Sequence, residues 1–63
     1  MPFIKMELDS ASKEQKKELI EKVTADCSSI LNMDPASFLV LIKENSTDNW
    51  GLGGTQVTEL LNK

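Results

Sequence analysis

The chain has 63 residues, 40% of them hydrophobic, and a formal net charge of −3. A chain of this length folds as one small domain, residues 1–63, whose core is near the lower limit for independent stability. We therefore expect a partner surface to complete the burial, and a second copy of the chain is the simplest partner. All seven cations are lysines, and an acidic chain without a basic stripe argues against nucleic-acid binding.

The cysteine and histidine content argues against a metal site and against secretion. One cysteine and no histidine cannot assemble a structural zinc site, and we expect no cofactor. The single thiol of Cys27 rules out an intrachain disulfide and fits a reducing compartment. No apolar run approaches the roughly 20 residues of a membrane span, and residues 1–10 lack the layout of a signal peptide. The sequence thus predicts a cytoplasmic protein without a membrane segment.

The first two residues, Met1-Pro2, offer the most reactive group of the chain. Methionine aminopeptidase removes an initiator methionine when the next residue is small, and proline meets that condition. An internal proline nitrogen is an amide, whereas an N-terminal one is a secondary amine that acts as a base and a nucleophile. The other interpretation is that Pro2 only protects the terminus from further trimming. Pro2 is therefore a candidate catalytic residue that depends on the removal of Met1.

Residues 3–35 predict a strand followed by a helix and a turn. Apolar and polar side chains alternate from Phe3 to Leu8, as in a half-buried strand. Ser12-Lys13-Glu14-Gln15 has the form of a capping box that begins a helix. The helix should end near Asn32, which tolerates a left-handed cap, and Asp34-Pro35 then starts a turn. The apolar stripe of the predicted helix consists of Leu19, Ile20, Val23, Cys27, Ile30 and Leu31.

The second strand is the main argument for an oligomer. Phe38–Ile42 is a run of five apolar residues, which predicts a strand buried on both faces. Strand, helix and strand form a βαβ unit with parallel strands and a right-handed crossover. One helix can cover only one face of this pair, so the other face should meet another subunit. Two strands also leave open edges, and we expect sheets that are completed across subunits.

The last part of the chain predicts a C-terminal hairpin. Trp50 precedes Gly51-Leu52-Gly53-Gly54, and three glycines in four positions indicate a hairpin or bulged turn with positive φ angles. Residues 55–63 are expected to form a short terminal strand or turn. Trp50 is then either an oligomer contact or one wall of a pocket.

The order and spacing of these features resemble the 4-oxalocrotonate tautomerase family over essentially the whole chain. The segments that carry the resemblance are Met1-Pro2, Ser12–Lys16, Leu19-Ile20, Val23-Thr24, Asp34-Pro35, Phe38–Ile42, Glu44 and Asn49–Gly54. The resemblance implies an α+β chain with the βαβ tautomerase fold, usually built as a homohexamer, a trimer of dimers. It also implies an enzyme, an isomerase that moves a proton between carbon and oxygen in keto–enol isomerisation.

The resemblance implies roles for individual residues as well. Pro2 would be the general base once Met1 is removed. Trp50 would wall the pocket and favour the neutral proline amine by desolvation. Leu39 and Leu52 would join the same apolar wall around the substrate.

Two positions differ from the dicarboxylate-handling members of the family. Those members carry arginines where this chain has Ala11 and Leu39, and no arginine elsewhere replaces them. The segment from Pro2 to Ser12 is also one residue shorter than usual. Because the loss of a charged oxyanion contact typically costs about 10²–10³ in rate, we expect a substrate other than a dicarboxylate. A smaller or less charged substrate, such as a monocarboxylate enol or an uncharged β-dicarbonyl, is expected instead.

Several alternatives stay open at this point. The donor for the enolate oxygen could be a backbone N–H after Leu8 or the side chain of Lys5 or Lys43, although both lysines are also explained as solvated strand-end residues. A covalent route through a proline iminium is a second chemistry, for which Glu7 and Glu44 are the obvious carboxylates. The alternative from another class is a non-catalytic oligomeric binding or structural module that lost the arginine-dependent site.

Overall fold

A computed structural model describes residues 1–62. Its elements are β1 (Phe3–Leu8), α1 (Lys13–Leu31), a first 3-10 helix (Pro35–Ser37), β2 (Leu39–Glu44), a second 3-10 helix (Thr47–Asn49), β3 (Gly51–Leu52), β4 (Thr55–Gln56) and α2 (Val57–Leu61). The predicted strand–helix–strand order is confirmed. Strand β2 begins at Leu39 rather than Phe38, because the Phe38 N–H donates to the Pro35 carbonyl (3.1 Å) and closes the first 3-10 helix.

Strands β1 and β2 form the predicted parallel pair. Phe3 lies opposite Leu39 at one end, and Leu8 lies opposite Glu44 at the other. The Leu39 N–H donates to the Pro2 carbonyl (3.0 Å), and the N–H of residue 45 donates to the Leu8 carbonyl (2.8 Å). In a parallel ladder alternate residues bond to the same neighbour, so the even-numbered residues of β1 bond to β2. The N–H and C=O groups of its odd-numbered residues therefore point to the open edge of the sheet.

The predicted caps of α1 are both present. The Ser12 hydroxyl accepts from the Gln15 N–H (3.0 Å), and the Gln15 side-chain oxygen accepts from the Ser12 N–H (2.9 Å). A cap of this kind is typically worth about 1 kcal/mol. The helix ends at Asn32, whose φ of 54° places it in the left-handed region. These two ends fix the length of α1, and hence where the chain enters β2.

Helix α1 packs against β2 and leaves the other face of the strand pair uncovered. The side chains on the helix side are partly buried, namely Ile4, Met6, Leu8, Val40 and Ile42. On the opposite face Phe3, Leu39 and Leu41 are 58%, 52% and 48% exposed. A single chain therefore covers only one face of β2, the strand that the sequence predicts to be buried on both faces.

The predicted apolar stripe of α1 is only half correct. Leu19, Val23 and Cys27 are partly buried, but Ile20 and Ile30 are exposed, as is the last residue of the helix. Helical spacing places Ile20 and Ile30 on the same side of α1 as the partly buried residues, so the stripe is present but a single chain covers only part of it. The polar Lys16 and Ser28 are partly buried instead.

The hairpin is confirmed, and the element after it is corrected. Strands β3 and β4 pair antiparallel, and Gly53 and Gly54 make the turn with φ angles of 60° and 84°. Of the segment expected to be a short terminal strand or turn, residues 55–56 form β4, but residues 57–61 form the helix α2. Val57, Leu60 and Leu61 are spaced by three and four residues, which suits one face of a helix better than alternation in a strand. The last residue of the predicted segment, Lys63, lies outside the described residues.

Candidate active site

Pro2 lies immediately before β1, at the end of the sheet where both parallel strands begin. Its carbonyl accepts the Leu39 N–H, and its ring is partly buried. Met1 is 90% exposed and extends into solvent. The proline carbonyl is thus fixed by β2, while the bond that would have to be cleaved to release its nitrogen is accessible.

Leu39 is adjacent to Pro2 along the backbone, but its side chain lies on the uncovered face. Its register partner is Phe3, and paired residues of neighbouring strands point to the same face. Both side chains are more than half exposed. In place of the positive charge that the resemblance leads one to look for, this end of the sheet carries an apolar surface.

Trp50 is held by main-chain bonds at the opposite end of the sheet. Its indole Nε1–H donates to the Asn45 carbonyl (3.0 Å), and its own carbonyl accepts the Val57 N–H (2.8 Å). The side chain is 41% exposed and shares a cleft with Leu8 and Asp9. The indole is therefore oriented before any ligand binds.

The loop before Trp50 is tied to α2 by side chains. The Ser46 hydroxyl caps the second 3-10 helix by accepting the Asp48 N–H (3.2 Å). The hydroxyls of Thr47 and Thr58 hydrogen bond at 2.7 Å, and the Gln56 side chain donates to the Asp48 carbonyl (2.9 Å). This network explains why a polar loop without apolar anchors of its own can position an aromatic side chain.

One protomer does not bring the four predicted site residues together. Trp50 lies beside the end of β1 and Pro2 precedes its start, and six residues of strand at about 3.3 Å each separate the two by roughly 20 Å. Leu52, in β3, is 69% exposed. Pro2 and Leu39 are neighbours at one end of the sheet, and Trp50 and Leu52 are two residues apart at the other.

The first position that departs from the family pattern, Ala11, is occupied by a different contact. The Ala11 N–H donates to the Glu44 carboxylate (3.3 Å), and the Lys16 ammonium pairs with the same carboxylate. The hydrogen bond from Lys16, and then that from Ala11, lower the pKa of Glu44 below its usual value. Glu44 thus fastens the segment after β1 to the end of β2, a structural role that explains its presence without catalysis.

The structure locates the candidate hydrogen-bond donors for the enolate oxygen. Lys5 lies opposite Leu41 and Lys43 lies opposite Glu7, so both lysines lie on the uncovered face. Of the backbone groups after Leu8, the N–H of Ser10 is taken by the Asp9 carboxylate (2.8 Å) and that of residue 11 by Glu44.

By sequence, residues 45–49 are only a polar segment between the second strand and Trp50, and the structure gives this segment a more specific place. Asn45 and Asn49 line a second cleft on Trp50, together with Glu7. Two asparagines within the five residues before a lone tryptophan were the only available signal. Glu7 could not be connected with them, since it is 38 residues from Asn45 in sequence.

Two further findings concern other kinds of site. Within residues 1–62, no group of three or more histidine, cysteine, aspartate or glutamate side chains is arranged to hold a metal ion. In the same part of the chain, neither helix is both long enough and apolar enough to cross a membrane.

Comparison with known proteins agrees with this architecture. The family model described as "Tautomerase enzyme" matches residues 2–60. Probable tautomerase K2 of Dickeya dadantii is 46% identical over 61 residues, which cover 94% of this chain and 91% of that protein. The 2-hydroxymuconate tautomerase of Comamonas testosteroni is 38% identical over 61 residues, which cover 95% of this chain and 97% of that protein.

Solved structures of similar proteins show the same fold. DmpI from Helicobacter pylori superposes with a TM-score of 0.84 at 39% identity and covers 92% of this chain and 98% of that one. A heterohexamer 4-oxalocrotonate tautomerase from Chloroflexus aurantiacus superposes with a TM-score of 0.85 at 28% identity, over 95% of this chain and 98% of that one. This chain thus has the architecture of a small tautomerase-type protein. It combines the βαβ unit and hairpin with a proline at position 2 and a tryptophan before the glycines. The chain belongs to the tautomerase family, and this membership supports an isomerase function.

Proposed function

We propose that the chain is a tautomerase that uses Pro2, freed by removal of Met1, as general base. The observation that carries the proposal is the position of Pro2. Its carbonyl is fixed by the Leu39 N–H, and the exposed Met1 leaves its nitrogen side open to processing and to substrate. The neutral amine takes a proton from the enol oxygen, and the resulting ammonium returns it to carbon, so that no co-reactant is consumed.

We further propose that the site is assembled from more than one copy of the chain. The odd-numbered groups of β1 point to an open edge, and a second β1 paired antiparallel along that edge would put its Leu8–Asp9 end opposite Pro2. Trp50 of the second copy, which lies beside Leu8 and Asp9, would then meet the base. The apolar wall would be completed by Leu39 and by Leu52, which lies two residues after Trp50.

The uncovered face supports association beyond a dimer. Phe3, Leu39 and Leu41 present adjacent apolar side chains there, and burying such a surface is favourable by about 25 cal/mol per Å². The Chloroflexus aurantiacus relative is a heterohexamer. We propose a homohexamer, a trimer of dimers, for this chain. A cytoplasmic location stays a prediction.

The proposed substrate is a small enol or keto acid other than a dicarboxylate. Neither position 11 nor position 39 carries a cation, and the N–H of Ala11 is already engaged by Glu44. A second carboxylate on the substrate would therefore lack its counter-charge at both positions. The same two positions favour the second candidate function, an oligomeric binding or structural module without catalysis.

One kinetic experiment separates the two candidates. Ketonisation of a simple 2-hydroxy-enoate monoacid is followed on protein whose mass confirms loss of Met1, beside Pro2→Ala. We expect the variant to lose about 10²–10⁴-fold in kcat/KM, the usual range for a general base. Equal rates near background in both proteins, with an unchanged oligomeric state, would instead support the binding module.

A further inference from the structure

A second cleft on Trp50 is not used by the mechanism proposed above. It has a volume of about 290 Å³ and is lined by Glu7, Asn45, Asn49 and Trp50. Glu7, Asn45 and Asn49 are polar, and the two asparagines among them carry neutral amides. The cleft opens at the end of β1 that the proposed assembly brings to Pro2.

Most of the polar groups of this cleft bond to one another. The Asn45 side-chain amide donates to the Glu7 carboxylate (3.1 Å). The Asn45 carbonyl accepts the indole N–H of Trp50 (3.0 Å). Glu7 and Asn45 thereby fix the orientation of the indole. The indole N–H and the Asn45 amide are already hydrogen-bonded within the chain.

Asn49 is the exception. Its backbone N–H donates to the Ser46 carbonyl (2.8 Å), which fixes the residue in the second 3-10 helix. Its side-chain amide lines the cleft and has no hydrogen-bond partner among residues 1–62. Asn49 thus brings a side-chain amide without a partner in residues 1–62 to the cleft that Trp50 also lines.

The charges around the cleft define what those donors can bind. The one ionisable group in its lining is Glu7. Lys43 lies opposite Glu7, and Lys5 lies two positions earlier on the same face, but neither forms an ion pair with it. A ligand carboxylate in the cleft would face the Glu7 charge, whereas a carbonyl or enol oxygen would meet a neutral donor.

We propose that Asn49 is a substrate-binding residue whose amide donates a hydrogen bond to the enol or enolate oxygen of the substrate. The chain has no arginine that could stabilise this oxygen by its charge. The neutral amide of Asn49 would supply the stabilisation instead. The hydrogen bond holds the oxygen on which negative charge develops after Pro2 of the neighbouring copy removes the proton, and Asn49 keeps its own protons. This inference rests on the proposed function, because the negative charge that Asn49 would stabilise develops on the substrate oxygen only when Pro2 removes the proton.

The test compares two substitutions at Asn49 with one asparagine elsewhere. Asn49→Ala removes the donors, and Asn49→Asp keeps the shape of the side chain but replaces the donors by a second carboxylate near Glu7. Asn62→Ala, at the exposed end of α2, is the matched control. All three are assayed with the 2-hydroxy-enoate monoacid on protein that has lost Met1, after thermal unfolding and mass measurements confirm the fold and the oligomer.

We expect Asn49→Ala to lose about 10²-fold in kcat with a smaller change in KM, as is typical when one oxyanion donor is removed. Asn49→Asp should be slower still, and Asn62→Ala should match the wild type. A residue that acts only through packing would show the opposite order, because aspartate preserves the shape. Wild-type rates in Asn49→Ala or in Asn49→Asp would overturn this inference alone, whereas a wild type without Pro2-dependent turnover would overturn the proposed function together with it.

Discussion

The two ends of the β1–β2 pair are built in opposite ways. At the start of the strands, Pro2 is held by one backbone hydrogen bond, and its surroundings, Phe3 and Leu39, are apolar and exposed. At the other end, Trp50 is fixed by its indole and its backbone, and Asn49 borders it.

The difference shows how a chain of this size can divide a site. Under the proposed function, one end would provide the nitrogen of Pro2 after removal of Met1 and a surface that favours burial, and the other would provide an oriented aromatic wall with polar donors. The strand that joins them holds them roughly 20 Å apart, so neither end would be a site by itself. Under the proposed function, association is therefore a condition for catalysis as well as for stability.

The strongest test of this division mixes two impaired variants. Pro2→Ala should lose about 10²–10⁴-fold in kcat/KM, and Trp50→Ala should lose about tenfold or more, because a cleft open to water weakens the interactions inside it. Co-expressed in equal amounts, the two should regain about one quarter of the wild-type activity, since some sites then combine an intact Pro2 with an intact Trp50 from a neighbour.

The control for this experiment is the same pair of variants purified separately and assayed together before subunits exchange. Mixed oligomers that are no more active than this control would place both residues in one chain's site, against the division between the two ends.

A second prediction changes the chemistry of the Pro2 end only. Leu39→Arg should raise kcat/KM for a dicarboxylate enol relative to the monoacid by about 10- to 100-fold. That range corresponds to a charged hydrogen bond of about 1.5–3 kcal/mol. Leu41→Arg is the matched control, because Leu41 is on the same face and similarly exposed. Equal gains in both variants would mean that a general increase in positive charge, rather than a contact at position 39, sets the preference.

The smallest expected effect concerns the contact that fastens the Trp50 end. The lowered pKa of Glu44 means that its ionised form stabilises the fold at pH values above its ordinary pKa, and that this stabilisation is lost as the pH falls through the lowered value. The melting temperature of the wild type should therefore exceed that of Glu44→Gln at pH 7, and the gap should close below about pH 4.5.

Glu21→Gln, on the surface of α1, controls for the loss of one negative charge without touching Lys16 or Glu44. A gap between wild type and Glu44→Gln that stays constant at all pH values would show that the ion pair with Lys16 does not carry the difference.

The sequence by itself determined the local elements and the candidate base. Alternation, the capping box and the left-handed Asn32 are short-range properties, and each depends on residues within one turn or one strand. For the same reason β1, α1 and the glycine hairpin lie where they are expected. Pro2 can be named as the candidate base without tertiary information either, since a proline nitrogen becomes a secondary amine once Met1 is removed.

Only the tertiary structure decided where these elements meet. It placed Trp50 far from Pro2, joined Ala11 to Glu44 across 33 residues and brought Glu7 to Asn45 across 38. It also formed α2 within the segment expected to be a terminal strand or turn, and it left part of the helix stripe, including Ile20 and Ile30, uncovered. Such contacts depend on how strand register and helix rotation orient residues that are distant in sequence, and no local pattern contains that information.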